Sequence, residues 1–298
     1  MENNNQPLVS VVIACYNHEN FVQDCVQSII DQTYENIELI IIDDGSKDGS
    51  VEKIQEMIFA CEKRFKRFEF RHRSNKGLSA TLNEALEWCE GEYFSPTASD
   101  DMMFSKKITT QVKFFLENLD NKIVGLFSGY QIINKENIIL DKIVKKEKKY
   151  NFNDLIMHNF DLPAPTAMLK LNEVKMIGGY NENLKIEDWY MWLKLTEFGS
   201  ELLYINQPLV KYRSHDDNIS KKLVLMNQER LKVLDCFSEN IKYPMAKSKL
   251  EWLAATDCLY IDQVNALNQA KKLLVKKPMN LFSKNFLRFV YHALKVKK

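Results

Sequence analysis

The N-terminal third of the chain alternates between short apolar runs and stretches in which apolar residues recur at helical spacing. The apolar runs, rich in β-branched residues, predict buried strands at 8–15, 37–43, 68–72 and, more briefly, 93–95. The stretches between them predict amphipathic helices at 21–30, 51–61 and 78–89. Because strand and helix alternate at short spacing, we predict an α/β fold with a mainly parallel, Rossmann-like central sheet.

Polar side chains stand at the carboxyl ends of three of these strands. Tyr16 follows the first strand, Asp43 and Asp44 end the second, and Asp100 and Asp101 follow the fourth. Ligands of open α/β sheets bind just beyond the carboxyl ends of strands. We therefore expect these residues to converge on one edge of the sheet, with Asp43 and Asp44 placed to hydrogen-bond a polar ligand.

The alternation weakens after Asp101, and the pattern becomes helical from about residue 221. Between these points the pattern predicts, in order, a helix at 108–116, a strand at 123–130, a hairpin at 131–144, an apolar strand at 163–169, a helix at 184–198 and strand-like runs at 202–212 that Pro208 interrupts. The chain is thus expected to comprise an α/β domain at 1–220 and a C-terminal helical region at 221–298.

Composition and charge argue against several classes of protein. Of the 298 residues, 45% are hydrophobic and 27% charged, and the net charge of +1 favours neither nucleic acid nor an acidic partner. No run approaches the roughly 18 uninterrupted apolar residues of a membrane span, and the N-terminus lacks the basic and apolar regions of a signal peptide. The six cysteines form no CxxC pair, which argues against a zinc or redox site and indicates a reducing, cytoplasmic setting.

The adjacent acids Asp100 and Asp101 are the sharper chemical signal. Adjacent carboxylates after a strand suit a hard divalent cation such as Mg²⁺ or Mn²⁺, which takes one or two protein carboxylates together with substrate phosphates. The alternative interpretation is a cap for the helix that follows. For Asp48, in the turn after Asp44, the cap is the preferred interpretation, and we expect it at the N-cap of the second helix.

A series of short motifs favours the metal-binding interpretation. They occur in this order: Ser10-Val-Val-Ile-Ala-Cys-Tyr-Asn17, Ile42-Asp-Asp-Gly-Ser-Lys-Asp-Gly-Ser50, Asn75-Lys-Gly77 with Asn83, Ser99-Asp-Asp101, Gly178-Gly-Tyr180, Glu187-Asp-Trp189 and Tyr212-Arg-Ser-His215. Each is weak alone, but the ordered set closely resembles the family 2 glycosyltransferases, inverting enzymes with the GT-A fold, over about 8–220. The resemblance makes about 8–101 the nucleotide-binding half and 102–220 the acceptor-binding half.

The resemblance implies a nucleotide site built from the first three motifs. Tyr16 would pack on or hydrogen-bond the base, and Asp44 would accept a hydrogen bond from the pyrimidine N3–H. Asp43 would support the same loop. Asn75 and Gly77 would let the backbone approach the nucleotide.

The resemblance also implies how the diphosphate and the acceptor are handled. Asp100 would contact the ribose or the metal, and Asp101 would hold a Mn²⁺ or Mg²⁺ ion that bridges the diphosphate. His215 would lie near that diphosphate or metal. Asp188 would be the base that deprotonates the acceptor hydroxyl, with Glu187 orienting it or exchanging roles with it.

The C-terminal tail, 271–298, carries basic side chains and no acid. Between them, apolar residues recur at helical spacing: Phe282, Phe286, Phe289, Val290 and Ala293. A basic amphipathic helix can lie on an anionic membrane surface. The alternative is a helix docked on the catalytic domain with a solvated basic face. We expect the former, with the protein peripheral at the inner face of the cell membrane.

These features predict a metal-dependent, inverting glycosyltransferase that extends a bacterial capsule, O-antigen or other surface polysaccharide. The expected partners are a nucleotide-diphosphate sugar and a glycan acceptor, lipid-linked in many related enzymes, and not nucleic acid. UDP is the expected nucleotide, with dTDP as the alternative because both bases offer an N3–H.

Two other functions stay open. A non-catalytic sugar-nucleotide-binding scaffold would follow if Ala98, where the family's metal motif often begins with Asp, marks a lost metal site. A sugar-phosphate nucleotidyltransferase would need a Gly-rich loop with an activating Lys and Arg after the first strand. The sequence after residue 15 carries no such loop, so this function ranks lowest.

Overall fold

The computed structural model describes residues 6–117, 121–216 and 218–296, which form two compact units. The first unit comprises the described residues up to Phe152 together with Phe160–His215. The second comprises Asn153–Asn159 and the described residues from Asp216 onward. Residues 1–5 of the predicted domain and Lys297 and Lys298 of the predicted tail lie outside the described residues.

The first unit is built on a ten-stranded sheet. Its strands are β1 (Val9–Cys15), β2 (Ile37–Asp43), β3 (Arg67–His72), β4 (Tyr93–Ala98), β5 (Met102–Met103), β6 (Ile123–Ile133), β7 (Ile139–Ile143), β8 (Lys148–Tyr150), β9 (Met168–Lys170) and β10 (Glu201–Arg213). The helices between them are α1 (Val22–Ile30), α2 (Ser50–Gln55), α3 (Ile58–Arg64), α4 (Leu78–Trp88), α5 (Lys107–Glu117), α6 (Phe152–Ile156), α7 (Leu171–Met176) and α8 (Glu187–Thr196). Of these, α6 begins at the boundary with the second unit.

The sheet is mainly parallel where the sequence predicts it. The strand order is β3-β2-β1-β4-β9-β6-β10-β5, with β7 beside β6 and β8 beside β10. The four strands β3, β2, β1 and β4 are parallel to one another. Short β9 runs antiparallel to both β4 and β6, and β10 returns parallel to β6. The carboxyl ends of the first strands therefore lie along one edge.

Burial on both faces explains why the central strands are continuous apolar runs. Every residue of β2 is buried, and β1 is buried except at Ala14. Helix α1 covers this region with one buried face made of Val22, Cys25, Val26 and Ile29. Each fully buried aliphatic side chain contributes about 1.5–3 kcal/mol to the free energy of folding. The acids at the strand ends are thus attached to strands that are almost completely buried.

Proline residues change the outcome for two of the predicted strands. The strand predicted at 163–169 is wrong in part, because Ala164–Thr166 forms a 3₁₀ turn and only Met168–Lys170 is extended. Pro163 and Pro165 have no N–H to donate to a sheet. By contrast, β10 continues past Pro208, and its register against β6 shifts on both sides of that residue.

The second unit is helical. Its helices are α9 (Leu223–Asp235), α10 (Tyr243–Cys258), α11 (Gln263–Lys276) and α12 (Lys284–Val296). Two 3₁₀ turns, Ile219–Lys221 and Pro278–Phe282, lie before α9 and α12. The core combines residues of α10, α11 and α12, namely Trp252, Ala255, Leu259, Ala266, Ala270 and Phe289.

The apolar stripe of the tail faces this core. Phe289 is 3% exposed, and Phe286, Val290 and Ala293 pack against the same cluster. A second apolar set on α12, beside this stripe, is exposed: Leu287, Tyr291 and Leu294. The surface that α12 presents is therefore not the one that the sequence pattern indicates. Among the described residues, no helix has the length and apolar content needed to cross a bilayer.

Candidate active site

Strand register aligns the predicted site residues at one edge of the sheet. In the β1–β2 pair Cys15 lies opposite Asp43, and in the β1–β4 pair Ala14 lies opposite Ala98. The loops that begin with Tyr16, Asp44 and Ser99 consequently leave the sheet side by side. Two acid pairs from different motifs thus meet at the same edge.

Asp43 holds the turn that follows β2. Its Oδ1 accepts hydrogen bonds from the N–H of Gly45 (3.1 Å) and Ser46 (2.9 Å), and its Oδ2 accepts from the Ser46 hydroxyl (2.5 Å). His72 Nδ1 lies 2.9 Å from the same Oδ1. The side chain is fully buried. Asp43 therefore shapes the loop and does not face open space.

Asp44 joins this turn to the loop before α4. Its two oxygens accept from the backbone N–H of Lys76 (2.8 Å) and Gly77 (2.9 Å). Arg73 donates to Asp44 through Nη1 and to Glu84 through Nε (2.7 Å). Arg73 belongs to none of the sequence motifs, and its partner Asp44 is distant in sequence, so the sequence carries no signal for it.

Two glycines permit this close approach of loops. Gly45 has φ +75°, and a Cβ there would lie 2.7 Å from the backbone N of Asn75. Gly77 has φ +92°, a backbone conformation that L side chains rarely adopt, and it precedes the first residue of α4. The Asp44 turn and the 75–77 segment are in direct backbone contact as a result.

Tyr16 and Asn75 are the exposed members of the predicted nucleotide site. Tyr16 is 42% exposed at the carboxyl end of β1, and Asn75 is exposed in the loop before Gly77. Asn17, which follows Tyr16, accepts a hydrogen bond from the N–H of Lys47 (2.8 Å) and donates its own N–H to the hydroxyl of Ser46 (2.8 Å). These bonds fix the Tyr16 loop against the Asp43 turn.

Asp48 lies one residue before the N-cap of the second helix, whereas the sequence predicts it at the N-cap itself. Gly49 occupies the N-cap of α2. Asp48 Oδ1 nevertheless accepts from the N–H (3.1 Å) and hydroxyl (2.5 Å) of Ser50, while Oδ2 accepts from the Glu19 N–H (3.0 Å). The predicted N-cap position is wrong, but the carboxylate still accepts a hydrogen bond from a backbone N–H in the first turn of the helix.

Asp100 lies between two imidazoles. His215 Nε2 is 2.8 Å from Asp100 Oδ2, and His18 Nδ1 is 2.7 Å from the hydroxyl of neighbouring Ser99. The His18 and His215 rings meet edge to face with centroids 5.8 Å apart. His18 is a residue that the sequence interpretation missed, although its place two residues after Tyr16, at the same strand end, was a usable signal.

Asp101 is more deeply enclosed. Its Oδ1 accepts from the Arg213 N–H (2.8 Å), while Oδ2 is buried with no hydrogen-bond partner among the described residues. Burial and the charge of Asp100 raise the pKa of Asp101 well above its ordinary value. Arg213 is fully buried and also donates to the Asp100 carbonyl (2.8 Å). The β4 loop and the end of β10 are thereby tied together.

These groups fit a divalent cation. One ligand atom from each of His18, Asp100 and His215 lies within 4.8 Å of the others, the spacing of donors around a single ion. The buried Oδ2 of Asp101 lacks the partner that a carboxylate oxygen ordinarily has. Carboxylates suit Mg²⁺ and Mn²⁺, and imidazole favours the less hard transition metals. The donor set therefore suits Mn²⁺ better than Mg²⁺.

Glu187 and Asp188 form a separate acidic pair in the first turn of α8. The loop before α8 is held to α4 by bonds from Ser79 to the Leu184 carbonyl (3.2 Å) and from Asn83 to the Tyr180 carbonyl (2.9 Å). Burial and the neighbouring Asp188 raise the pKa of Glu187 to about 8. Glu187 therefore takes up a proton at a higher pH than an ordinary glutamate does.

Sequence comparisons place the chain among glycosyltransferases. The sequence model described as "Glycosyl transferase family 2" matches residues 10–176. An uncharacterized glycosyltransferase of Rickettsia typhi is 31% identical over 226 residues, 72% of this chain and 66% of that protein. The putative teichuronic acid biosynthesis glycosyltransferase TuaG of Bacillus subtilis is 28% identical over 216 residues, 72% of this chain and 82% of that protein. The chain spans less than two thirds of the Rickettsia relatives, and 37% of one from Rickettsia felis.

Solved structures share the fold. The crystal structure of S. aureus TarS 1–349 in complex with UDP-GlcNAc matches 97% of this chain and 79% of that chain, with a TM-score of 0.63 at 14% identity. A mannosyltransferase from Pyrobaculum calidifontis in complex with GDP-Man and Mn²⁺ matches 99% of this chain and 88% of that chain, with a TM-score of 0.62 at 15% identity. At such identities the likeness concerns the fold, and it confirms the predicted GT-A class.

Proposed function

Because the chain belongs to glycosyl transferase family 2, we propose that it is an enzyme that moves a sugar from a nucleotide-diphosphate donor to a hydroxyl of a glycan acceptor. The observation that carries the proposal is the meeting of the Asp44 and Asp100 loops at one edge of the sheet. A nucleotide-diphosphate sugar carries a polar base and a charged diphosphate. The Asp44 loop offers groups that can bind the base, and the Asp100 loop offers groups that can bind the diphosphate through a metal ion.

The donor nucleotide is proposed to lie beside the Asp44 turn. Tyr16 offers an exposed aromatic face for the base. A carboxylate oxygen can accept more than one hydrogen bond, so Asp44 Oδ2, which takes the Gly77 N–H, can also accept a pyrimidine N3–H. Asn75 and Gly77 bring the backbone close, and Asp43 keeps the loop in shape. We propose UDP, with dTDP as the alternative, and the UDP-GlcNAc complex of TarS supports this choice.

A divalent cation, Mn²⁺ or Mg²⁺, is proposed to be held by Asp101, Asp100 and His215, with His18 as a further ligand. Such an ion supplies positive charge that offsets the charge growing on the leaving diphosphate. The mannosyltransferase complex with Mn²⁺ supports this assignment. Arg213 keeps both acids in place through its bonds to the Asp101 carboxylate and the Asp100 carbonyl.

Asp188 is proposed to be the general base. Burial and the neighbouring Asp188 raise the pKa of Glu187, so the pair resists carrying two negative charges. Asp188 is proposed to carry the charge, which the N-terminus of α8 stabilises. The acceptor oxygen forms a bond to the anomeric carbon as the bond to the diphosphate oxygen breaks, and the hydroxyl proton passes to Asp188. A single displacement of this kind inverts the anomeric carbon.

The acceptor is proposed to be a lipid-linked glycan of a bacterial surface polysaccharide, reached at the inner face of the membrane. The teichuronic acid assignment of the Bacillus relative supports a surface glycan. The basic tail, with Leu287, Tyr291 and Leu294 exposed on α12, supports peripheral contact with an anionic surface. Each basic residue near such a surface adds about 1 kcal/mol of attraction.

Calorimetric titration with UDP, dTDP and GDP, each with and without Mn²⁺, tests the donor and metal sites. We expect one pyrimidine diphosphate to bind, more tightly with Mn²⁺, and the Mn²⁺ effect to disappear in Asp101→Asn. The matched control is Asp31→Asn, an exposed acid at the end of α1, which should behave as the parent protein does. Absence of metal-linked binding for all three nucleotides would sink the proposal.

Turnover separates an enzyme from a binding scaffold. Release of nucleotide diphosphate from a panel of UDP- and dTDP-sugars should fall by about 10²–10⁴-fold in Asp188→Asn, the usual contribution of a general base. Nucleotide affinity should stay unchanged in the same variant. Glu197→Gln, at the far end of α8, is the control that should retain turnover. Equal turnover in both variants contradicts the role of Asp188.

A further inference from the structure

The second unit contains a cavity of about 270 Å³ that the proposed transferase site does not use. Its lining includes Arg230 of α9, Lys249 of α10 and Arg288 of α12, so three helices each contribute a cation. His158, from the segment that belongs to this unit, lines the same cavity. The space exceeds the roughly 30 Å³ of one water molecule several times over, so it can hold a small polyatomic group.

The charges of this cavity are incompletely balanced. Arg230 lies 3.7 Å from the carboxylate of Asp257. Lys249 donates to the carbonyls of Met157 (2.8 Å) and His158 (3.2 Å) and to the side-chain oxygen of Asn159 (2.5 Å), all of which are neutral acceptors. Among the described residues neither Lys249 nor Arg288 forms an ion pair, and Arg288 has no hydrogen-bond partner there. Uncompensated cations that converge from separate elements favour an anion between them.

Burial, together with the neighbouring cations, lowers the pKa values of two lining residues. Burial and the charge of Arg288 lower the pKa of Lys249 below its ordinary value. Burial, with Arg230 and Lys249, lowers the pKa of His158 to about 3, so this imidazole is neutral at physiological pH. A bound anion would favour the protonated form of both groups and so would raise both pKa values.

The lining also includes the neutral polar side chains Trp252, Thr256 and Asn285. Trp252 is 1% exposed, and its Nε1 has no hydrogen-bond partner among the described residues. A buried indole N–H ordinarily finds an acceptor. Thr256 and Asn285 can both donate and accept, while the guanidinium, ammonium and indole groups present only donors. A tetrahedral oxyanion with several acceptor oxygens matches that set, and guanidinium groups bind phosphate in forked geometry.

We propose that this cavity is a second binding site, specific for a phosphate or diphosphate group. The group can be carried by a lipid headgroup or by a soluble phosphate, and both present the same oxygens to Arg230, Lys249 and Arg288. The site is independent of the donor site in the first unit, and its existence does not depend on glycosyl transfer.

Calorimetry on the full chain in EDTA, with inorganic pyrophosphate as the probe, tests the soluble source. EDTA prevents a divalent ion from recruiting pyrophosphate to the proposed donor site. Arg288→Gln should weaken binding by about tenfold or more, because a charge-assisted contact is lost. Trp252→Phe, which keeps the ring in the core, should weaken binding by a smaller factor. Lys295→Gln removes one exposed charge from the same helix and should leave affinity within about twofold, as exposed charges contribute little.

Vesicles of phosphatidylcholine with phosphatidic acid test the lipid source against vesicles of phosphatidylcholine alone. Binding of phosphatidic acid vesicles that falls in Arg288→Gln and persists in Lys295→Gln supports a headgroup ligand. The same pattern with pyrophosphate supports a soluble one. Equal losses in the two variants would indicate general surface attraction and overturn the proposal. Pyrophosphate binding that ignores Arg288→Gln, or no binding of either probe, overturns it too.

Discussion

The Glu187 carboxyl group at the start of α8 is costly to ionise because it is partly buried beside Asp188. Glu187 is partly buried, and its pKa of about 8 lies above the ordinary 4.5. Between these values the folded protein binds a proton that the unfolded chain releases. The contribution of Glu187 to stability therefore falls as pH rises from 4.5 to 8.

Glu187→Gln should remove that penalty. We expect the free energy of unfolding to exceed that of the parent by roughly 1–3 kcal/mol at pH 9, after allowance for partial exposure, with a much smaller difference at pH 5. Urea unfolding at the two pH values measures it. Glu197→Gln, near the end of α8, should show no such pH-dependent gain. A difference of equal size at both pH values would refute the assignment.

Residue-level prediction from the sequence succeeds for strand ends and fails for cross-loop partners. Asp43, Asp44, Asp100 and Asp101 are visible because each ends or follows an apolar run. Arg73 and His18 act through Asp44 and Ser99, which lie in other motifs, and only the folded loops create those pairs. Deep burial of Asp101 is likewise a property of the closed fold.

At the scale of elements, the β2–α2 turn is the most constrained connection of the site. Its shape depends on Gly45, whose φ of +75° and close approach to the 75–77 segment admit no side chain. The same turn places the Asp44 carboxylate where it accepts hydrogen bonds from the backbone N–H groups of Lys76 and Gly77. A change in this turn should therefore reach the proposed base-binding site without touching a charged residue.

Gly45→Ala should cost about 1–3 kcal/mol of stability, the usual range for a strained backbone residue, and should weaken pyrimidine nucleotide binding. Gly49→Ala is the matched control in the same loop. Its φ of −77° is ordinary, and the added Cβ would meet only the flexible carboxylate of Glu19. Thermal unfolding and nucleotide titration compare the two, and equal effects would refute the special role of Gly45.

Helices and strands can be predicted from the sequence where burial sets the hydrophobic pattern, and less well elsewhere. Buried parallel strands are recognisable because both faces are apolar, so the bounds of β2 match the sequence pattern at 37–43. Around Pro163 and Pro165 the apolar run gave a false strand, since hydropathy does not record the missing N–H groups. The tail helix was predicted, but periodicity alone could not determine which surface its apolar stripe would meet.

At the scale of the whole molecule, the tail is part of the second unit's core. Phe289→Ala should cost about 3–5 kcal/mol, as expected for truncating a buried aromatic side chain. Leu294→Ala, on the exposed side of the same helix, should change stability by no more than about 0.5 kcal/mol. Hydrogen exchange of the amides in α10 and α12 measures both. Similar loss of protection in the two variants would contradict the packing of α12.

The two faces of α12 have a consequence for how this protein can evolve. Substitutions at Leu287, Tyr291 and Leu294 alter what the outer surface meets, whereas substitutions at Phe289 alter whether the helix stays folded. Selection can therefore adjust adhesion to a surface one exposed side chain at a time, without passing through an unstable intermediate. If one apolar stripe of the tail had to serve both the fold and the outer surface, each substitution that changed adhesion would also change the stability of the fold.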